Sequence, residues 1–336
     1  MRDYEVKLRI ADVIIQMKSC FPIEKFTKKE ERDLQRSERF NNFSYKGGQA
    51  PHIVIQVEIV NRLPNISNMK PVFTTYHFQD RSENWHLLKK GNIYIYKSPI
   101  KDKEQLMVVN KTFNRVTAYL LPKNKDVALS EKKRENIKKN KGFIWSVSDV
   151  IYDFLQVLLI NYFAQRNEGI FTHAIGIRDL GRQGLLFAGK SGCGKTTMAK
   201  LWYKHSKTMV LNDDRVIVRK YKKRFFIHGS PWHGEFNDYL ASRIESAPLE
   251  KLFFIHHALK NIARPVSEKR AFNLLYPALF PTFWDKGGLE NIVSFCQDLV
   301  KNVPCFSFGF VNDKKIVGFV RKANRGEVKN VKKAKI

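Results

Sequence analysis

The chain has 336 residues and carries 60 Lys and Arg against 32 Asp and Glu, a formal net charge of +28. An apolar share of 43% is enough for a sizeable buried core, which excludes wholesale disorder. Four cysteines (Cys20, Cys193, Cys296, Cys305) show no paired spacing, which excludes a disulfide scaffold or a Cys-rich zinc module.

The opening run to Ser19 carries acids and lacks a compact apolar segment, so a secretory signal is not expected. Residues 1–120 read as a β-rich region. Alternating or β-branched runs lie at Tyr4–Ile15, His52–Val60, Asn92–Tyr96 and Leu106–Val109, punctuated by Gly, Pro and Asn. Lys28–Ser44 is charged and reads as a short helix or a loop. Residues 121–144 are polar enough for a charged linker or a solvated helix. From Val147 a helix is expected, since Val150, Ile151, Phe154, Leu155, Leu158, Leu159, Tyr162 and Phe163 recur at helical spacing. This is the longest apolar stretch, and Asp153, Gln156 and Asn161 interrupt it, so no membrane span is expected.

After Gly169, two short strands are expected in IFTHAIGIRD and GLLFAG, joined through Leu180–Gln183. A glycine-rich loop and a helix to about His205 follow, then a strand in TMVLNDD and a hairpin in VIVRKYKKRFFIHG. From about Pro248 the pattern reads as mostly helical, His256 and His257 included, with late strands near Phe306–Phe310 and Lys315–Val320. Residues 145–320 thus form one α/β domain, and 321–336 a basic tail.

Positive charge gathers at Lys123–Lys141, in the run Arg219–Arg224, and from Arg321 onward. Such a field favours encounter with phosphates, nucleic acids or anionic membranes. No zinc-finger spacing, RNP aromatic signature or basic heptad array accompanies it. Nucleic acid is therefore an alternative partner and not the favoured one.

The chemistry is carried by Gly189-Lys190-Ser191-Gly192-Cys193-Gly194-Lys195-Thr196, with Thr197 following. It fits the phosphate-binding pattern G-x-x-x-x-G-K-[ST] without a mismatch, between an apolar strand and a helix. Glycines let backbone N–H groups curl around phosphate oxygens, and the helix N-terminus adds partial positive charge. Lys195 would reach the β- and γ-phosphates of ATP, and Thr196 would join a Mg²⁺ shell. Asp213 and Asp214 close the next strand, eighteen residues after Lys195. One acid can hold Mg²⁺ while the other accepts a hydroxyl proton. No NKxD base-reading motif follows, which weakens a GTPase reading. His173 taken alone reads as a core histidine or a site residue, and His233 and Glu235 are further candidates in HGSPWHGE. A metal site at His256–His257 is not expected. Cys193, inside the loop, reads as a small loop residue.

THAIGIRD, GKSGCGKTT and LNDD, in that order and at this short spacing, resemble the HPr kinase/phosphorylase-like P-loop family, related in fold to ATP-dependent phosphoenolpyruvate carboxykinase. GSPWHGEF and APLEKLFFI are similar to a divergent branch found beside peptide-modification enzymes, so the likeness covers about residues 145–320. The resemblance implies an HPr kinase C-terminal-domain-like core with a β-rich N-terminal region. It implies ATP and Mg²⁺ as cofactors, Asp213 as general base, Asp214 as metal ligand, and His173 as a functional neighbour of the acids. The family's E-[IV]-R-G-x-G signature is absent, so the reverse reaction is not expected; Glu235 is the candidate for part of the missing metal or substrate role.

The expected activity is transfer of the γ-phosphoryl group to a Ser or Thr hydroxyl of a peptide or protein, in the cytoplasm. The alternatives are a nucleotide-binding regulatory or assembly module without phosphotransfer, or a kinase acting on a nucleic-acid or small-molecule hydroxyl. Similarity to hexameric HPr kinases leaves a homo-oligomer open.

Overall fold

The computed structural model describes residues 4–20, 23–24, 40–76, 83–98, 105–121, 145–206, 208–234, 236 and 244–323. Lys123–Lys141, the tail beyond Ala323, Glu235 and most of Lys28–Ser44 lie outside the described residues. The chain divides into two compact units, 1–162 with 283–285, and 163–282 with 286–336.

In the first unit, β1 (Tyr4–Ile10) and β2 (Val13–Ser19) form a hairpin. Its two turn residues, Ala11 at φ 45° and Asp12 at φ 60°, adopt the left-handed conformation that a tight two-residue turn demands. The run expected at Tyr4–Ile15 is therefore two strands, because the chain reverses within it. A short parallel pair joins β3 (Ile23–Glu24) to a later strand. The sheet continues with β4 (Ile53–Ile59), β5 (Pro71–Tyr76), β6 (Glu83–Lys90), β7 (Ile93–Ser98), β8 (Gln105–Asn110) and β9 (Arg115–Leu120). Its strand order is β1-β2-β4-β9-β8-β7-β6-β5. The sequence of β4, IVIQVEI, buries every second residue, as period-two patterning requires. The partner of β3 is β10 (Trp145–Ser146), which leads into α1 (Val147–Arg166). Phe154, Leu155, Leu158 and Leu159 of α1 are buried, so its apolar stripe faces a core. The division between the units falls inside this helix, after Tyr162.

The second unit begins with β11 (Gly169–Arg178), which turns through Leu180–Arg182 into β12 (Gly184–Ala188). Next come α2 (Lys195–His205), β13 (Met209–Asn212), β14 (Arg215–Tyr221) and β15 (Arg224–His228). The long β16 (Ser246–His257) and β17 (Ile262–Pro265) follow, then α3 (Glu268–Leu275), α4 (Lys286–Asn302), β18 (Cys305–Phe310) and α5 (Ile316–Lys322). The strand order is β12-β11-β14-β15-β16-β18-β17, with β13 also on β11 and β12 also on β16.

Alternation along β12 builds two cores. Leu186 and Ala188 face a cluster with Val216, Ile227, Phe254, Leu275, Phe295 and Leu299, drawn from β14, β15, β16, α3 and α4. Leu185 and Phe187 face the opposite cluster, with Met198, Trp202, Phe253, Phe308, Ile316 and Val320, so α2 and α5 cover that face. Two expectations are corrected here. Ser246–His257 is a strand and not a helix, because β12 and β18 hydrogen-bond it on both edges through Leu249–His257. Lys315–Val320 is not a strand: Ile316, Val317 and Val320 fall on one face of α5 and pack into the second core.

The molecule is mixed α/β, with two eight-stranded sheets, one two-stranded pair and five α-helices among the described residues. None of these helices is long and apolar enough to cross a membrane.

Candidate functional site

Two strands with the same direction flank β11 and bring the loop and the acids to one end of the sheet. β12 and β13 are both antiparallel to β11, so they run parallel to each other on its opposite edges. Ala188, the last residue of β12, sits opposite Ala174, and Asn212, the last of β13, sits opposite Gly176. The loop that follows Ala188 and the acids that follow Asn212 therefore leave the sheet within two residues of one another along β11. β11 lies between the two strands, so the acids do not end on the strand next to β12.

The loop Gly189–Gly194 needs its glycines. Gly192 (φ 77°) and Gly194 (φ 94°) are left-handed, which side chains resist. A Cβ on Gly194 would come within 2.6 Å of the Phe310 ring, and one on Gly189 within 2.5 Å of Cys193 Sγ. Lys195 is buried and folds back over the loop, its ammonium donating to the carbonyls of Gly189 and Lys190 at 3.1 Å each. Gly194 caps α2 without a side-chain bond, so the first amides of the helix have no such partner. Lys190 and Ser191 are exposed, and Thr196 and Thr197 are half-buried at the head of α2. Burial pushes the Cys193 thiol up, against the pull of the Lys195 charge, so it is held as a thiol. A loop with positive-φ glycines, uncapped helix amides and a lysine resting on its carbonyls fits the phosphates of a nucleotide.

The two acids occupy different environments. Asp213 is 4% exposed, and each of its oxygens accepts a backbone N–H: Oδ1 from Gly234 at 2.7 Å and Oδ2 from Phe236 at 2.9 Å. Burial raises its pKa, and the two amides and the His233 charge only partly offset this. Asp214 Oδ1 lies 2.9 Å from His173 Nε2 and 2.7 Å from the Arg215 guanidinium. Burial alone would raise its pKa, but the His173 hydrogen bond, the Arg215 charge and the Lys195 charge together hold it below the usual carboxylate range. The nearest approaches of His173 and Arg215 both fall on Oδ1, and no hydrogen bond to Oδ2 occurs among the described residues. The Thr196 hydroxyl at the head of α2 and the Asp214 carboxylate are hard oxygen donors of the type Mg²⁺ prefers. No group of three or more His, Cys, Asp or Glu side chains poised for a metal occurs among the described residues.

Several residues of this arrangement are not singled out by the sequence. Asn212 is fully buried; its Oδ1 accepts the N–H groups of Asp214 (2.8 Å) and Arg215 (2.6 Å). Its Nδ2 donates to the carbonyls of Ser230 and Trp232 at 3.0 Å each. Ser230 Oγ donates to the Arg215 carbonyl at 2.6 Å. Arg215 lies over the Phe280 ring, 4.5 Å from its centroid. Ser230, Trp232, Gly234 and Phe236 are thus fastened to the acid pair by Asn212, Asp213 and Arg215. The only local signal for Asn212 is a buried polar residue at a strand end, and its partners lie 18 and 20 residues away.

His233 is buried, with Nδ1 2.9 Å from the Gly234 carbonyl. Glu235 lies outside the described residues. His256 and His257 end β16.

The cationic run Arg219–Arg224 is partly used within the fold. Arg219 pairs with Glu168 at 2.6 Å and lies over Phe163 and Tyr221, and Lys220 pairs with Asp298. Arg321 binds Asp179 through two hydrogen bonds, at 3.0 and 2.7 Å.

No family model matches the chain, and no curated protein matches it.

Proposed function

We propose that the chain is an ATP- and Mg²⁺-dependent kinase that transfers the γ-phosphoryl group to a hydroxyl, that of Ser or Thr in a peptide or protein. One observation carries this reading: the phosphate-type loop and an ionised carboxylate, with no hydrogen bond on its Oδ2 among the described residues, flank the same strand, and the Lys195 charge acts on that carboxylate. A nucleotide-binding module without phosphotransfer can also use such an acid, to hold Mg²⁺, so detection of a labelled acceptor is what separates the two readings.

Lys195 exchanges its bonds to the loop carbonyls for the nucleotide phosphates, and the amides at the head of α2 take up phosphate oxygens. Thr196 would hold Mg²⁺ beside the nucleotide, with the Asp214 charge close by; the ion supplies charge neutralisation on the phosphate oxygens. Asp214 Oδ2 orients the acceptor hydroxyl and takes its proton. His173 and Arg215 fix the other oxygen, so the carboxylate stays ionised and cannot turn. Its low pKa suits a loose transition state, in which the base mainly positions the nucleophile.

This assigns to Asp214 the role that the family resemblance implies for Asp213. Asp213 is buried, and both its oxygens are bonded to the chain's own amides, so it serves to hold Gly234 and Phe236 in place.

The test is incubation with γ-labelled ATP, Mg²⁺ and Ser/Thr peptide pools or cell extract. The expected result is a labelled hydroxyl acceptor with wild-type protein and none with Lys195→Ala. Nucleotide-dependent capture of a partner without any labelled acceptor would replace this reading with the regulatory one.

A further inference from the structure

β16 does not stop where β12 stops. The parallel register sets Ala188 opposite Phe254, so β16 runs on for three residues alongside the loop that leaves β12. Its last residue, His257, is fixed on the other edge by pairing with Phe310, and the next residue, Ala258, donates its N–H to the Phe310 carbonyl at 3.1 Å. The His257 ring lies 5.6 Å from that of Phe310 and, though exposed, is presented from a rigid strand end.

His257 Nε2 is 3.1 Å from the Gly192 carbonyl oxygen. A carbonyl only accepts, so Nε2 carries the proton and donates. The peptide unit that owns this carbonyl is also held at its other end, where Cys193 N–H donates to the Lys190 carbonyl at 3.2 Å. Both hydrogen-bonding ends of the Gly192–Cys193 peptide are therefore bonded.

This matters because the unit starts at a left-handed glycine, Gly192, and lies one residue before another, Gly194. Glycine has the widest backbone freedom, so the chain entering and leaving this peptide is easily rearranged unless something outside the loop holds it. A flip would turn a carbonyl towards the position where phosphate oxygens bind and misdirect the amides entering α2. We propose that His257 is a positioning residue for the phosphate loop: its Nε2–H pins the Gly192 carbonyl outward, so the loop is ordered before a nucleotide arrives. The proposal rests on the nucleotide-binding reading above. It gives a use to the second residue of the His256–His257 pair, distant from the loop in sequence and brought to it by the register of β16.

Pre-ordering lowers the cost of binding without acting on the chemical step. The effect should fall on nucleotide KM and Kd, with kcat nearly unchanged. The test compares three substitutions at an exposed position. His257→Phe keeps a ring against Phe310 but has no donor; His257→Gln keeps an N–H donor but has no ring; His257→Ala has neither. Nucleotide Kd with Mg²⁺-ATP is expected to rise about three- to ten-fold in the Phe and Ala variants, the value of one hydrogen bond, and to recover to within about two-fold in the Gln variant. In the nucleotide-free protein, amide hydrogen exchange over Gly189–Lys195 should quicken in His257→Phe. Wild-type Kd and exchange in His257→Phe, or an equal loss in the Gln variant, would overturn the assignment while leaving the nucleotide site standing. Wild-type protein that takes no nucleotide would end both readings.

Discussion

His173 and Asp214 meet at the junction of β13 and β14, Nε2 to Oδ1 at 2.9 Å, with Arg215 on the same oxygen at 2.7 Å. The consequence is a carboxylate whose two oxygens are unequal: the nearest cationic and donating contacts converge on Oδ1, and no hydrogen bond reaches Oδ2 among the described residues. Asp213 has no such asymmetry, since each of its oxygens holds one amide.

Substitution should separate the two acids. Asp214→Asn is expected to lower phosphotransfer by about 10²–10⁴-fold while leaving nucleotide Kd within a few-fold. Asp213→Ala strands two amides and should lower unfolding stability by about 2–4 kcal/mol, read as a fall in the melting midpoint. Full transfer activity in Asp214→Asn, with loss in a folded Asp213→Asn, would return the base role to Asp213.

The pH profile of kcat/KM provides an independent check. A base must be ionised, so activity holds above its folded-state pKa and falls as the pH drops through it. Asp214 is held below the usual carboxylate range and Asp213 is raised above its ordinary value. With Asp214 as the base, the acid limb lies below the ordinary carboxylate pKa. An acid limb above it would point to Asp213. The same shift bears on stability: a depressed Asp214 contributes stability that is present above its unfolded pKa and is lost as the pH falls through the folded value.

Two glycines give predictions of opposite kind. Gly194→Ala meets both a positive φ and the Phe310 ring, and should weaken nucleotide binding by at least about ten-fold. In Gly234→Ala the new Cβ would lie 2.8 Å from Asp213 Oδ2. That change should disturb the fastened segment and acceptor turnover, with nucleotide Kd near wild type. Titration of each variant with a non-hydrolysable ATP analogue distinguishes them.

The basic hairpin yields a fourth test. Arg219 is engaged with Glu168 and two rings, so Arg219→Ala should destabilise the fold by about 1–3 kcal/mol. Lys222 and Lys223 sit exposed at the turn, and replacing both with Ser should leave the melting midpoint unchanged. If that pair also leaves salt-dependent RNA and DNA binding unchanged, the hairpin turn is not a nucleic-acid surface.

The glycine loop was legible because close backbone approach and positive φ admit few residue types, whereas the spacing to Asp213 and Asp214 gave no sign that β11 lies between the strands that lead to the loop and to the acids. The strands IVIQVEI and GLLFA were legible from apolar patterning alone. Ser246–His257 was not: its apolar residues suit a helix as well, and its strand state comes from hydrogen bonding to β12 and β18, which are distant in sequence. α5 was misread because Ile316, Val317 and Val320 favour strands locally, while the core beneath α5 selects a helix. Asn212 and His257 escaped for a related reason. Each acts on a partner that only the tertiary register supplies.

The two halves of the site hang from β11 and not from each other. The connection through Ser206–Thr208, between α2 and β13, is therefore free to vary in length without moving the acids relative to the loop. A one-residue slip of β11 against either neighbour would instead exchange its two faces and dismantle both cores along with the site. Residues added or removed between α2 and β13 should be tolerated, and the same changes between Thr172 and Gly176 should not.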